Sequence, residues 1–331
     1  MILHPSILAL AISSLLICLM VLYSTFYGIR ILRDWDIASG SERQLELERR
    51  TYLISTIVSY FLALQLISLF FFIFTADSIC KLFVGAMCAV GTLSVNGFGY
   101  PTLLLKIITF ILAGLWLILN HADNQGYDYP LIRKKYLMLA VLAPLILLET
   151  VVQGIYFAGL KPDIITSCCG SLFSPAARGI ATEIASLPAL PMLTLFYVSA
   201  LVTFAAGLRF YCRQSGGYLF TILSGSHLLV AIVAIISVFS LYIYQMPSHH
   251  CPFCILQKEY YFIGYPIYIA ILVGGVTGLG TGMLMPFRAV ASLREILPRL
   301  LKNLTLASLV SLLFLTLLVT WPILGTSFTL R

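Results

Sequence analysis

Charge is scarce in this sequence. Only 10% of its 331 residues are charged, 60% are hydrophobic, and the mean hydropathy is +1.00. Soluble domains carry about 25% charged residues, so a chain of this composition cannot bury its apolar surface in one soluble core. The scarcity excludes a soluble protein and predicts a polytopic membrane protein. The net charge of +7 does not then indicate a nucleic-acid partner, because basic residues gather on the cytoplasmic loops of membrane proteins.

Several other features are missing. The sequence shows no soluble domain, no low-complexity tract and no convincing repeat. The first apolar run is preceded by His4 and by no lysine or arginine, which is not typical of a cleaved signal peptide. The stretch GGVTGLGTG at 274–282 lacks the following Lys-Ser or Lys-Thr of a phosphate loop, and it favours close contact between helices instead.

Long apolar runs define the predicted fold. A helix needs about 20 apolar residues to span a bilayer. Eight runs meet this need, so we expect an all-α bundle of eight spans in a single integral membrane domain, 1–331. The runs lie near 6–28, 52–75, 101–120, 136–158, 190–208, 218–246, 261–286 and 304–325.

The basic residues predict the topology. Most of the 20 lysines and arginines lie in the loops after spans 1, 3, 5 and 7. Such loops are cytoplasmic by the positive-inside rule, so both termini are predicted to lie outside. The expected location is the cytoplasmic (inner) membrane of a bacterium, with the lipid bilayer as the first partner.

The eight cysteines divide by loop. Cys18 lies inside span 1 and Cys212 in a cytoplasmic loop, whereas the three long outer loops hold two cysteines each. The outer side is the oxidising side, where thiols pair or exchange. One reading is three structural staples, but a bridge across a short loop stabilises little. The alternative is redox or metal chemistry. The outer pairs are Cys80 and Cys88, Cys168 and Cys169, and Cys251 and Cys254.

The stretch SHHCPFCILQKEYYF at 248–262 concentrates polar and thiol groups between two apolar runs. Pro252 suits the first turn of a helix, which would place Cys251 at the N-terminal end of span 7. A helix N-terminus stabilises a thiolate and lowers its pKa, and His249, His250 and Lys258 add positive charge nearby. Lys258 would then lie one helical turn beyond Cys254, on the same face.

The segment CPFCILQKE resembles the C-x-L-C-I-L-Q-R signature of the DsbB-type disulfide-bond formation proteins. In that family the pair passes electrons from an extracytoplasmic thiol protein to a membrane quinone. The resemblance implies that Cys251 and Cys254 are the quinone-proximal catalytic pair and that Gln257 and Lys258 contact the quinone. Lys258 stands where the family has an arginine, which is a departure because lysine lacks the planar fork.

A second segment, CKLFVGAMCAVGTLSVNGFGYP at 80–101, is similar to the first outer loop of vitamin K epoxide reductase homologues. There a loop cysteine pair shuttles electrons to a C-x-x-C at the start of the last helix of a four-helix bundle. The resemblance implies that Cys80 and Cys88 are the shuttle and that a redox core comprises 52–120 and 218–286. The inserted hairpin would be 136–208. Its Cys168 and Cys169 also form a loop pair that precedes the C-x-x-C pair in the chain, so the choice of shuttle stays open.

Two further residues are candidates. Glu149 lies inside span 4, where a carboxylate is costly and is usually functional or paired. It could carry protons during quinone reduction, pair with Lys106 or face an outer vestibule. His227 in span 6 has no second well-placed histidine, so a structural role is favoured over haem ligation.

Two functions follow. The first is a membrane thiol–disulfide oxidoreductase that connects an extracytoplasmic thioredoxin-like thiol protein with a quinone, ubiquinone or menaquinone. The second is a copper- or mercury-handling protein, because thiolates and imidazoles are soft ligands. Its ligands would be Cys168, Cys169, His249, His250, Cys251 and Cys254, and Met87 and Cys88 are further soft ligands suited to Cu(I).

Overall fold

The architecture consists of long helices. The computed structural model describes residues 3–36, 39, 41–161 and 180–325, and these contain helices and no strand. The α-helices are α1 (Pro5–Asp34), α2 (Glu42–Ser78), α3 (Ala89–Leu93), α4 (Gly99–Gln125), α5 (Ile132–Ala158), α6 (Ile180–Ala185), α7 (Ala189–Arg213), α8 (Gly217–Ala234), α9 (Ser240–Tyr244), α10 (Gly264–Leu284) and α11 (Leu297–Gly325).

Eight of the helical segments are long and apolar enough to cross a membrane. They are α1, α2, α4, α5, α7, the continuous run from α8 to α9, α10 and α11. The predicted all-α fold is therefore confirmed for the described residues, and so is the number of candidate spans. The composition of these helices indicates an integral membrane protein.

Two boundaries differ from the predicted ones. Helix α2 begins at Glu42, ten residues before its apolar run. Charged side chains are compatible with a helical segment outside the hydrocarbon region, and Glu46 and Arg50 form an ion pair there. Helix α10 begins at Gly264 and not at 261. Tyr261 and Phe262 have φ values of 54° and 56°, a left-handed conformation that no helix accommodates.

The chain separates into two compact units. Unit 1 comprises the described parts of Met1–Thr75, Asn96–Lys161 and Pro286–Leu300, and unit 2 comprises those of Ala76–Val95, Pro162–Met285 and Leu301–Arg331. Most of spans 2 and 3 belongs to unit 1, whereas spans 6 and 7 belong to unit 2. This division does not follow the predicted redox core and inserted hairpin, which stay predictions.

Unit 1 packs α1, α2, α4 and α5 around large side chains. Trp116 is fully buried and its indole N–H donates to the carbonyl of Lys135 at 3.0 Å. Gly28 on α1 lets the Tyr136 ring approach closely, since a Cβ there would lie 2.6 Å from the ring. Close backbone approach through small residues is how membrane helices gain packing contacts.

Charged side chains are also buried in unit 1. The Lys106 ammonium lies 2.8 Å from a Glu149 carboxylate oxygen and donates to Ser68 Oγ at 2.7 Å. The other Glu149 oxygen accepts from Thr109 at 2.5 Å and from Gln65 at 2.6 Å. Every oxygen of the carboxylate therefore has a protein donor, as a charge in a membrane interior requires.

Unit 2 packs α7, α8, α10 and α11 together. Helix α10 carries the glycine-rich stretch, and three of its glycines face α8 directly. A Cβ would lie 2.0 Å from Leu228 at Gly275, 2.5 Å from Ser224 at Gly278 and 2.4 Å from Thr221 at Gly282. The predicted close helix contact of this stretch is confirmed.

A π-helical turn, Ile235–Phe239, joins α8 to α9. Such turns widen the helix by one residue and often occur at functional sites. Here the turn places Ile235, Val238 and Phe239 in the same buried core as three cysteines.

Candidate thiol site

Three cysteine sulfurs converge within unit 2. The sulfurs of Cys88, Cys251 and Cys254 all lie within 4.8 Å of one another. Cys88 Sγ and Cys251 Sγ are 3.6 Å apart. A disulfide is about 2.05 Å long, so these two sulfurs are within about 1.5 Å of bonding distance. Two loops far apart in sequence thus bring their thiols into direct contact.

The first of these loops is held by Asp77, near the C-terminal end of α2. One Asp77 carboxylate oxygen accepts from the backbone N–H of Ala89 at 3.2 Å. Ala89 is the first residue of α3, so the bond satisfies one of the free N–H groups at that helix start. Cys88 directly precedes α3 and has an extended backbone, which directs the chain away from the helix axis.

The second loop does not have the predicted conformation. Cys251 was expected at the N-terminus of span 7, but α10 begins thirteen residues later, at Gly264. Two 3₁₀ turns intervene, Cys254–Leu256 and Lys258–Tyr260. The extended backbone of Gln257 separates them, with φ −84° and ψ 161°. The helix-terminus argument for a Cys251 thiolate is therefore wrong, and so is the placement of Lys258 one α-helical turn beyond Cys254.

Gln257 joins the two loops. Its amide nitrogen donates to Asp77 Oδ1 at 3.0 Å and to the carbonyl of Met87 at 2.9 Å. The same Asp77 oxygen therefore anchors both the start of α3 and the loop that contains Cys251. The glutamine that carries the family resemblance thus acts as a positioning residue between Cys88 and Cys251.

We expect Gln257→Leu to loosen this connection. Loss of both hydrogen bonds of the side-chain amide leaves Asp77 with fewer donors and removes the restraint on the Met87 segment. Cys88 and Cys251 should then become accessible to solvent more often. The measurement is the rate of alkylation of the reduced thiols by a small neutral reagent, followed by mass spectrometry. Gln125→Leu changes an exposed glutamine of unit 1 and serves as the control. Equal rates in both variants would show that Gln257 does not restrain the loops.

The backbone around the cysteines is fixed by three further side chains. Tyr244 donates its hydroxyl to the carbonyl of Cys251 at 2.5 Å, and Tyr268 donates to the carbonyl of Pro252 at 2.6 Å. His250 Nδ1 lies 3.1 Å from the carbonyl of Ile236, in the π-helical turn. Since a carbonyl only accepts, Nδ1 carries the proton in this bond. The π-helical turn thus helps to position the loop.

The surroundings of the thiols are apolar. Cys88 and Cys251 are fully buried among Val238, Ile255 and Ile267. Burial, and then the nearby Cys254 and Glu259, raise the pKa of Tyr260 above its usual value. Burial, and then the charge of His250, lower the pKa of His249, so this ring is neutral at physiological pH. Neutral aromatic groups therefore surround the cysteines.

The remaining predicted residues are not members of the cluster of three sulfurs. Cys80 is buried in a 3₁₀ turn, Cys80–Leu82, that packs against α3. Lys258 is exposed. Glu149 belongs to unit 1, where it pairs with Lys106, and its role in quinone chemistry stays a prediction. Cys168 and Cys169 lie outside the described residues.

Sequence reasoning missed three residues of the site, Asp77, Tyr244 and Tyr268. Asp77 ends an apolar run and resembles an ordinary helix-terminal carboxylate. Tyr244 lies seven residues before Cys251 in a tyrosine-containing stretch with no motif. Each of the three acts through a single hydrogen-bonding atom, and no spacing rule signals such contacts.

The arrangement can do two kinds of chemistry. Three thiols at this separation can exchange one disulfide among them, because a thiolate attacks a disulfide sulfur that it can approach directly. Three thiolates can also bind a soft metal ion. No family model, no curated protein and no solved structure matches the chain significantly.

Proposed function

We propose that this protein is a membrane thiol–disulfide oxidoreductase that connects an extracytoplasmic thioredoxin-like thiol protein with a membrane quinone. The 3.6 Å contact between Cys88 Sγ and Cys251 Sγ is the observation that carries the proposal. A structural staple would require only two cysteines, whereas three sulfurs meet here. A thiol from another loop, placed beside a C-x-x-C pair, is the arrangement that disulfide exchange needs.

The exchange takes place in two steps. Beginning from a Cys251–Cys254 disulfide, the Cys88 thiolate attacks Cys251 Sγ. The Cys88–Cys251 bond forms, the Cys251–Cys254 bond breaks, and Cys254 leaves as a thiolate. The Cys80 thiolate then attacks Cys88 Sγ and releases Cys251. Cys80 and Cys88 have lost two electrons and two protons, and Cys251 and Cys254 have gained them; the reverse direction uses the same steps.

A quinone, when bound, would take up the two electrons and two protons of the Cys251–Cys254 dithiol. The residues fit such a group in part. Gln257 already uses its amide nitrogen for Asp77 and Met87, and Glu149 accepts from Lys106, Thr109 and Gln65. Lys258 is exposed and four residues beyond Cys254, so its ammonium is the group that would donate to a quinone carbonyl.

Quinone reduction by the purified protein tests this function. With a reduced thioredoxin-like protein as electron donor, Cys251→Ser should abolish quinone reduction. Lys258→Ala should lower it by about tenfold or more, and Lys258→Arg should retain it, since arginine also donates. Thiol exchange with the protein partner should change much less in both lysine variants. Full activity of Cys251→Ser would exclude the proposed route.

The proposed topology needs a test that avoids the buried thiols. Met87 and Tyr261 are 71% and 92% exposed, whereas Cys88 and Cys251 are buried. We expect Met87→Cys and Tyr261→Cys to react with a membrane-impermeant thiol reagent in intact spheroplasts, and exposed Cys212 to react only after lysis. The opposite pattern would place the cysteine loops on the cytoplasmic side.

A soft-metal site is the second candidate function, and the same three sulfurs favour it. Cys88, Cys251 and Cys254 within 4.8 Å would suit Cu(I) in a trigonal thiolate site. All three sulfurs belong to the predicted soft ligands, whereas the predicted ligand His250 is bonded to a backbone carbonyl. Stoichiometric Cu(I) binding that Cys88→Ser abolishes, together with no quinone reduction, would establish this function instead.

A further inference from the structure

A small cavity lies inside unit 2 where α7, α8, α10 and α11 meet. Its volume is about 20 Å³, which exceeds the 10–15 Å³ or so that a water molecule requires. Its lining is mostly leucine, isoleucine, alanine and glycine, but each of α7, α8 and α11 contributes polar groups. These are Thr203, Ser224, His227 and Ser308.

His227 lines this cavity, and one of its ring nitrogens is unpaired among the described residues. The residue is only 6% exposed, and among the described residues its Nε2 has no hydrogen-bond partner. Its other nitrogen, Nδ1, lies 2.9 Å from Ser199 Oγ. The Ser199 hydroxyl donates its hydrogen to the carbonyl of Phe196 at 2.9 Å. With the Ser199 hydrogen on the Phe196 carbonyl, Ser199 Oγ accepts from Nδ1–H, and Nε2 is left as a bare acceptor.

The hydroxyl groups of the lining have also used their hydrogens. Ser224 donates to the carbonyl of Phe220 at 2.8 Å, and Ser308 donates to the carbonyl of Gly274 at 2.9 Å. Thr203 donates to the carbonyl of Leu223 at 3.3 Å. Each hydroxyl oxygen thus offers lone pairs only. Together with Nε2, the polar atoms of the lining are all acceptors.

An acceptor-only cavity selects a hydrogen-bond donor. A metal cation or ammonium ion would satisfy the lone pairs, but no carboxylate of the described residues lines the cavity, and an uncompensated charge in a membrane interior is costly. A neutral donor has no such cost. We propose that His227, Ser224, Ser308 and Thr203 form a binding site for one water molecule that donates to His227 Nε2.

The proposed water site involves the neutral imidazole of His227 alone, and the Phe196 ring that packs against it at 5.3 Å is also neutral. The site does not depend on the thiol chemistry.

Solid-state NMR of the protein in liposomes, with its histidines labelled with ¹⁵N, tests the site. We expect one histidine, identified by its loss in His227→Gln, to have a protonated Nδ1 and a bare Nε2, with magnetisation transfer from water to Nε2. His121→Gln, at an exposed position in unit 1, should leave this signal unchanged. A protonated Nε2 in the neutral ring would overturn the proposal.

A second variant covers the case in which His227→Gln fails to fold. Ser308→Val retains the histidine and fills the cavity with methyl groups. We expect the His227 signal to persist and the water transfer to disappear. Transfer that is absent in the unchanged protein would show a dry cavity, and transfer that persists in Ser308→Val would show that the water lies elsewhere. Either result would refute the site.

Discussion

A Cys254→Ser variant should accumulate a disulfide between Cys88 and Cys251. The two sulfurs are already in contact at 3.6 Å, and the serine removes the thiol that would resolve the bond by attacking Cys251. Under mild oxidation we expect most molecules to carry the cross-link. Peptide mass spectrometry without reduction measures it, since residues 88 and 251 then appear in one linked peptide.

The matched control is Cys212→Ser, which removes an exposed thiol of the same unit and should leave the native pattern unchanged. Double replacement of Cys254 and Cys88 by serine should lose the linked peptide. A bond from Cys251 to Cys80 in the Cys254→Ser variant would instead make Cys80 the exchanging thiol. Absence of any bond between the two loops would contradict the proposed route.

Removal of one member of the Lys106–Glu149 pair should strongly destabilise unit 1. Their side chains are 0% and 2% exposed, so Lys106→Met leaves a carboxylate buried beside Gln65 and Thr109 without its counter-ion. Breaking a buried ion pair in this way costs about 3–5 kcal/mol. Reversible unfolding in mixed micelles, compared at one detergent composition, measures the change.

The double replacement Lys106→Met with Glu149→Leu should recover much of the loss, because no isolated charge remains. The exposed Arg43–Asp34 pair provides the comparison. There Arg43→Gln should change the stability by less than about 1 kcal/mol, since solvent screens the pair. A similarly small effect at Lys106 would mean that the lysine and the glutamate are not paired in the membrane.

Helices were predictable because their signal is local. Runs of about 20 apolar residues identified all eight candidate spans, and the glycine-rich stretch of α10 identified a close contact with α8. The start of α10 was not predictable in this way. Pro252 is compatible with a helix start, but the left-handed backbone of Tyr261 and Phe262 prevents a continuous helix from Pro252 into α10. No composition rule indicates left-handed backbone at aromatic residues.

The site was predictable in its residue types and not in its contacts. Cysteine spacing identified Cys88, Cys251 and Cys254, but it did not indicate that Cys88, and not Cys80, meets Cys251. That choice depends on Asp77 and Gln257, which connect segments 180 positions apart. Contacts at such separation arise from the packing of the whole unit, and a single sequence carries no direct record of them.

For the proposed exchange with a protein partner, the burial of the cysteines has a consequence for turnover. Cys80, Cys88, Cys251 and Cys254 are each at most 7% exposed, so a thiol on a soluble protein cannot reach any of them while the loops are closed. The loops must open before exchange with the partner. This opening requires the hydrogen bonds of the Gln257 side-chain amide to Asp77 and Met87 to break. When opening is slower than exchange, the rate reaches a plateau as the partner concentration rises. Small diffusing oxidants would also reach the thiols only while the loops are open. The protein would then select its reaction partner by the time for which the thiols are exposed as well as by recognition.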